Sequence, residues 1–271
     1  MRIVFIGPFA LRPKGTVPVR MLPMASELVR RGHQVTMLLP PYDNPAYSGT
    51  STTVDGVAIR NGRLHRPIPP VIDPLCSIQL VKDALALRPD LVHLFKPKGH
   101  SGNAALLLAL ARSMRLTSAP LVLDTDDLEG AGGINDYLAE HGRYPKSMLS
   151  LIAWQERAIP RRVQAVTAAS QALRDRAVSH GAEAGRVFAV PNGYQRLPGS
   201  PPDGPRVDAL RARLGLDGGP VALLYTRFFD YDLRRCVRSL AAIRAGVPGV
   251  RFLVVGKGEF GEETAFIEMC Q

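Results

Sequence analysis

The chain has 271 residues, 46% of them hydrophobic and 21% charged, a balance that fits one or two globular domains and excludes disorder over most of its length. Its formal net charge of +10 rests mostly on arginine and points to anionic ligands or surfaces, unless it reflects a bare compositional preference for that residue. The longest unbroken apolar run, 104–111, falls far short of the ~20 residues that span a bilayer, so no transmembrane helix is expected.

An apolar strand is expected at 3–6, followed by a loop rich in glycine and proline. The break at Gly7-Pro8 comes too early for a secretory signal. A helix over 19–31 is closed by Gly32, where a left-handed residue costs least, and a strand at 34–39 follows at once. Residues 52–54 and 57–59, joined by Asp55-Gly56, carry the signal of a two-residue hairpin. Further expected elements are a helix near 74–87, a strand at 91–94, a helix over 102–112 and a strand at 121–123. A long helix ends before Pro160, and a strand at 165–168, a helix opened by Ser170 and a strand at 187–190 come next. Residues 196–206 have linker composition. Beyond them the opening design returns, with a strand at 221–226, a loop holding Arg227, a helix, a strand at 251–255 and Gly256-Lys257-Gly258.

Strands alternating with helices predict parallel sheets of βαβ units whose ligands lie beyond the carboxyl ends of the strands. The expected fold class is α/β: a Rossmann-type doubly wound domain at 1–195, a linker at 196–206 and an incomplete second Rossmann-like domain at 207–271. Two strands cannot cover both faces of a sheet, so apolar surface around 221–224 and 252–255 is expected to stay partly open. Cys76, Cys236 and Cys270 show neither disulfide nor zinc spacing, which suits a reducing cytoplasm. Arg12, Lys14, Arg20, Arg30 and Arg31 gather near the first helix, and Arg60, Arg63 and Arg66 follow the hairpin. On one face, each would add ~1 kcal/mol of attraction to an anionic leaflet, so peripheral contact with the inner membrane face is an expected partnership. Nucleic acid is not, because no recognition motif or aromatic platform accompanies the charge.

The glycine-containing first loop, an amphipathic helix, Arg30-Arg31-Gly32-His33-Gln34-Val35, Ala168-Ala169-Ser170 opening a helix, Val190-Pro191-Asn192-Gly193 and Arg227 after a strand occur in that order. In this the chain resembles the family 4 glycosyltransferases of the GT-B fold. The resemblance implies an amino-terminal acceptor-binding domain and a carboxy-terminal domain that grips a nucleotide-sugar. It also implies transfer of a glycosyl group with retention of configuration and without a metal. The nucleotide-sugar is then a substrate, no cofactor is implied, and the acceptor is an unidentified glycan, lipid or small molecule.

As a glycosidic C–O bond breaks, negative charge grows on a diphosphate, and preorganised donors must meet it where no metal does. Arg227, just past a strand and just before a helix, is the chief donor-binding candidate. Family members carry a Lys a few residues on, whereas Phe228-Phe229-Asp230-Tyr231-Asp232 intervenes here; Asp230 and Asp232 read as helix caps, and Arg234, Arg235 or Lys257 as replacement cations. Gly15 stands where backbone approaches the donor phosphate, and Lys14 beside it either adds charge or is simply solvated. Asn192 and Gly193 make either a tight turn or a donor contact, and His33 reads as packing.

Asp124, Asp126 and Asp127 follow a strand and so stand where the chemistry of a parallel sheet belongs. They are the catalytic candidates, to hold a sugar hydroxyl, stabilise positive charge at the reacting carbon or orient the acceptor, with capping of the next segment as the structural alternative. Gly130 to Gly133 read as a mobile loop, and Lys96, Lys98 and His100 are expected to face the same crevice. An Asp-x-Asp also suits a divalent metal in a GT-A glycosyltransferase, or a nucleophile and acid in a haloacid-dehalogenase-type phosphatase, but neither explains the restart at 221. Gly7-Pro8-Phe9-Ala10 lacks the dinucleotide fingerprint of a nicotinamide dehydrogenase. A non-catalytic fragment or degenerate copy is the remaining alternative, since the family's later glutamate pair has no counterpart; little or no turnover and a tendency to associate are then expected.

Overall fold

A computed structural model describes residues 1–13, 15–66, 68, 73–143, 145–193, 203–216, 218–228 and 232–271. Contacts divide the chain into two units, Met1–Gln195 and Arg196–Gln271. The first is built on an eight-stranded sheet of β1 (Arg2–Ile6), β2 (Gln34–Leu39), β3 (Ser51–Val54), β4 (Val57–Asn61), β5 (Leu91–Phe95), β6 (Leu121–Thr125), β7 (Ala165–Ala168) and β8 (Val187–Ala189). Their spatial order is β3-β4-β2-β1-β5-β6-β7-β8, parallel except for the β3–β4 hairpin. In that hairpin Asp55 and Gly56 take φ of 49° and 79°, as its two-residue turn requires. β2 lies on one side of β1 and β5 on the other, so the chain reverses its direction of travel at β1. Ligands of such sheets bind at that switch point.

Helices α1 (Leu22–Arg30), α2 (Pro74–Ala86), α3 (Gly99–Ser113), α4 (Ile134–Glu140), α5 (Lys146–Ala158) and α6 (Gln171–Ser179) connect the strands. Alternation along β1 divides the apolar residues between two cores. Val4 and Ile6 pack with Leu80, Ala104 and Leu108 from α2 and α3, whereas Ile3 and Phe5 pack with Val17, Met21 and Ala25 on the α1 side. Each fully buried Ile, Leu or Phe contributes about 1.5–3 kcal/mol, and together they fix the strand ends that carry the polar residues.

Several elements of the first unit differ from expectation for local reasons. The helix over 19–31 opens earlier, as a π-helical turn Val17–Met21 that runs into α1. Pro23 has no N–H for the Val19 carbonyl, so the helix cannot keep its ordinary pattern there, and Leu22 N–H bonds the Val17 carbonyl instead. The single long helix before Pro160 is two, α4 and α5, because Gly142 takes φ of 74° and Pro145 starts a new helix at its N-cap. β6 runs two residues beyond the expected strand and takes Asp124 into the sheet.

The second unit holds α7 (Gly204–Arg213), β9 (Val221–Tyr225), α8 (Leu233–Gly246), β10 (Arg251–Val255) and α9 (Glu262–Cys270). Gly204 to Arg206, expected in the linker, open α7, because Asp203 caps it by accepting from the Arg206 N–H at 2.9 Å. β9 and β10 form a two-stranded parallel sheet. Leu223 and Tyr225 are 63% and 78% exposed and Val255 42%, so the surface expected to stay uncovered is open to solvent. Phe228 is buried and meets Phe266 at a ring-centroid distance of 5.4 Å, which anchors the turn after β9. The loop after β10 passes so close that a Cβ on Gly256 would run into the Thr226 carbonyl, which excludes any other residue there.

Candidate active site at the carboxyl ends of the first sheet

The π-helical turn aims Arg20 inward, where it is 4% exposed. Its Nε and Nη2 donate to the two carboxylate oxygens of Asp124 on β6, each at 2.7 Å, and Nη1 donates to Asn192 Oδ1 at 2.9 Å. Thr167 on β7 donates to Asp124 Oδ2 at 2.5 Å and lies 3.2 Å from His93 Nε2 on β5. With the hydroxyl proton committed to Asp124, the imidazole Nε2–H is the donor to Thr167. A bidentate ion pair stripped of water is tolerated only if its remaining hydrogen-bonding groups are satisfied, which Thr167 and Asn192 accomplish. Burial works against the charged guanidinium, but Asp124 and then Asp126 outweigh it and raise the Arg20 pKa. Burial pushes His93 down to about 4, so its ring is neutral near pH 7.

Next to this pair, Lys96 continues the β5 ladder with its N–H on the Asp124 carbonyl at 2.9 Å, then takes φ of 65°. That left-handed conformation costs a side-chain-bearing residue about 1–3 kcal/mol and persists where its surroundings enforce it. Here they do: the Lys96 ammonium, buried, lies 2.9 Å from Asp126 Oδ1 and 2.7 Å from Glu129 Oε1 and also pairs with Asp127. Lys98 reaches Glu129 Oε2 at 2.7 Å, and Asn135 donates to the Glu129 backbone carbonyl at 2.7 Å and to Oε2 at 2.9 Å. Thr16, at the start of the π-helical turn, donates to Asp126 Oδ2 at 3.0 Å and so ties the first loop to the acidic turn.

The same cluster sets its protonation. Burial opposes charge on Glu129, but Lys98 and Lys96 hold it down to about 2. Lys96 goes up despite burial, under the pull of Glu129, Asp126 and Asp127. Asp126 also goes up, because burial, together with the negative charges of Asp127 and Asp124, outweighs the attraction of Lys96. Carboxylate oxygens of Asp126, Asp127 and Glu129 lie within 4.8 Å of one another, a spacing that could hold a metal ion.

The three aspartates expected to act together have three surroundings. Asp124 is fully buried against Arg20; Asp126 is 8% exposed in its side chain beneath Thr16 and Lys96; Asp127 is 54% exposed. Lys96 and Lys98 do lie beside them. His100, expected to face the crevice, is instead buried, its Nδ1 2.8 Å from Ser77 Oγ and its ring 5.8 Å from that of Tyr42. α3 begins at Gly99, earlier than expected, and draws His100 into its first turn. Gly15 is exposed, and a Cβ on it would meet nothing within the chain, so the fold itself makes no demand for glycine there. Asn192 is held by Arg20, Gly193 is exposed, and Lys14 lies outside the described residues. The expected mobile loop at Gly130 to Gly133 is tied, with Gly133 N–H on the Gly130 carbonyl at 3.0 Å and Gly132 N–H on Asp136 at 2.7 Å.

In the second unit Arg227 and Lys257 are exposed just beyond β9 and β10. Asp232 caps α8 through the Arg235 N–H at 3.2 Å, while Asp230 lies outside the described residues. Of the basic group near the first helix, Arg20 is buried on Asp124, while Arg30 and Arg31 share Glu27 and remain exposed. No helix among the described residues is long and apolar enough to cross a membrane.

Residues 15–193 match the glycosyl transferase 4-like domain. The chain belongs to that family. Solved structures that resemble this glycosyl transferase 4-like protein include the following three. HepE of Anabaena in complex with UDP has a TM-score of 0.60 at 18% identity over 99% of this chain and 64% of HepE. A glycosyltransferase of Rickettsia africae has a TM-score of 0.59 at 11% identity over 99% and 63%. The UDP-GlcNAc 2-epimerase of Neisseria meningitidis bound to UDP-GlcNAc has a TM-score of 0.54 at 12% identity over 100% and 69%. No curated protein sequence matches the chain. At such identities the likeness establishes the fold, which is GT-B, and a fold that serves an epimerase as well as transferases leaves the reaction to the site. The chain spans 64% of the length of HepE.

In this glycosyl transferase 4-like chain an Asp-x-Asp site meets an obstacle, because the oxygens of Asp124 are taken up by Arg20 and Thr167. Arg20, Glu129, Asn135, Thr16, Thr167 and His93 were not singled out from the sequence as site residues. One signal was available for Arg20: it shares a helical face with Val17, which marks it as inward. The others come from the first loop, β5, the turn after β6, α4 and β7 and carry no common motif.

Proposed function

We propose that this chain is a glycosyltransferase that moves a sugar from a nucleotide-sugar to an acceptor hydroxyl, with retention of configuration and without a metal. The observation that carries the reading is the bond between Thr16 and Asp126, which joins the first loop to the acidic turn at the carboxyl ends of β5 and β6 within the matched family region. Asp126, held beneath Thr16 and Lys96 with its pKa raised by burial, and exposed Asp127 are suited to accept hydrogen bonds from sugar hydroxyls. Asp124 acts through Arg20 and Asn192, as a positioning residue. The first unit takes the acceptor, and the second takes the donor, whose diphosphate meets Arg227, Lys257 and backbone N–H groups. UDP is the first nucleotide to test, because HepE structures hold UDP and UDP-glucose.

The test is calorimetric titration of the full chain with UDP and UDP-glucose, followed by release of UDP with and without a chelator. Binding is expected, with Arg227→Ala weakening it about 10-fold, as loss of a charge-assisted hydrogen bond does. Asp126→Asn is expected to lower any turnover about 100-fold with binding unchanged. A folded chain that binds none of a panel of nucleotide-sugars at millimolar concentration would sink the reading. A second reading, that the chain binds donor without turning it over, is favoured by the exposed apolar residues of β9 and β10, and binding without UDP release would select it.

A further inference from the structure

Three carboxylates, of Asp126, Asp127 and Glu129, converge within 4.8 Å, a set of oxygen ligands able to hold a hard divalent cation. The place is not vacant: the Lys96 ammonium is paired with all three. Two features separate this lysine from an ordinary surface partner. Only 3% of it is exposed, and its backbone is held at φ of 65°. Lys98 neutralises the far oxygen of Glu129, whereas Lys96 pairs with Asp126, Asp127 and Glu129 and is the cation common to the turn.

We infer that Lys96 is the resident cation of this carboxylate turn, a positioning residue that occupies the place a divalent metal would take and holds Asp126 and Asp127 fixed as hydrogen-bond acceptors. A metal entering the turn would have to settle within ligand distance of a fixed ammonium, and repulsion excludes it. Removing the ammonium leaves three carboxylates facing one another with Lys98 on one side only, and the turn becomes a divalent-cation site. The consequence for sugar transfer rests on the glycosyltransferase reading; the exclusion of metal does not.

The experiment titrates MnCl2 into the full chain at pH 7.5, followed by calorimetry and by the manganese electron paramagnetic resonance signal, for wild type, Lys96→Met, Lys96→Arg and Lys96→Met/Glu129→Gln. Circular dichroism checks that each is folded. Lys96→Met is expected to bind one Mn2+ at least 10-fold more tightly than wild type, Lys96→Arg to behave as wild type, and Glu129→Gln in the Lys96→Met background to abolish the gain. Wild type binding Mn2+ as tightly as Lys96→Met, or a folded Lys96→Met with no gain, overturns the inference.

A measurement on native wild type guards against a variant that does not fold. An amine-acylating reagent at pH 9, mapped by peptide mass, is expected to modify exposed Lys82 and Lys146 and leave Lys96 untouched. Modification of Lys96 at the same rate overturns the inference. Donor turnover separates the two claims: a 10-fold loss in Lys96→Met, restored by Lys96→Arg, supports the positioning role. Metal gain in a chain that never turns over or binds a nucleotide-sugar leaves the resident cation standing and removes the transferase reading.

Discussion

β1, Arg-Ile-Val-Phe-Ile, and β9, Val-Ala-Leu-Leu-Tyr, each span five residues and read alike as apolar strands that open a βαβ unit. Their surroundings are opposite. Phe5 and Ile6 of β1 are 0% exposed, whereas Leu223 and Tyr225 of β9 are 63% and 78% exposed. β1 has a strand on either side and a hydrophobic core on each face; among the described residues β9 pairs with β10 alone. Apolar composition thus earns stability only where neighbours remove it from water, and the same five-residue pattern is a core strand in one unit and exposed apolar surface in the other.

The contrast is sharpest at the ion pair of Arg20 and Asp124, which the first unit shelters from water. Arg20→Ala leaves Asp124 charged and unpaired in the core and is expected to destabilise the first unit by about 3–5 kcal/mol. The single tryptophan, Trp154 on α5, reports that unit by fluorescence in urea, while hydrogen exchange in β9 and β10 should be unchanged. A loss below about 1 kcal/mol would mean that the pair is not sheltered as its burial implies. Replacing both partners with apolar residues, Arg20→Met/Asp124→Leu, is expected to recover most of the loss.

Acid should divide the units next. His93 has its folded-state pKa depressed from 6.5 to about 4 by burial, so the unfolded chain takes up the proton first. Its contribution is therefore fully present above pH 6.5 and lost as the pH falls toward 4, on the order of 3 kcal/mol in all. Glu129, depressed from 4.5 to about 2, adds a loss of the same sign between those values. His93→Gln should flatten the Trp154-detected stability between pH 6.5 and 4; an equally steep slope in the variant would assign the acid sensitivity elsewhere.

The smallest expected effect on stability lies in the second unit. Leu223→Lys and Tyr225→Lys change residues already in water and should alter unfolding free energy by less than about 0.5 kcal/mol. Sedimentation velocity is expected to show less self-association in both variants. A large loss of stability instead would show that β9 is covered in solution, and the contrast with β1 would collapse.

Periodicity and punctuation carried much of the fold in the sequence. Asp55-Gly56 as a hairpin turn, Ser170 as the cap of α6 and the strands at 165–168 and 251–255 follow from local preferences that neighbours did not override. The site was less legible. Arg20 looked like one more surface arginine because burying a guanidinium is unfavourable until its partner is known, and Asp124 lies 104 residues away. His100 looked accessible until α3 proved to start at Gly99. The register of Asp124 depended on β6 running on to Thr125, which pairing with Ala168 of β7 sustains and composition does not announce.

Acting alone, the order of residues determined the α/β class, the places where strands and helices begin, and the appearance of carboxylates and lysines at neighbouring strand ends, because these depend on short-range propensity and on the two periods of 2 and 3.6. Only the tertiary structure decided which of those charges are buried, which are paired, and which remain open. Those outcomes rest on contacts between residues far apart in the chain, where the cost of removing a charge from water is met or not met by a partner that no local pattern names.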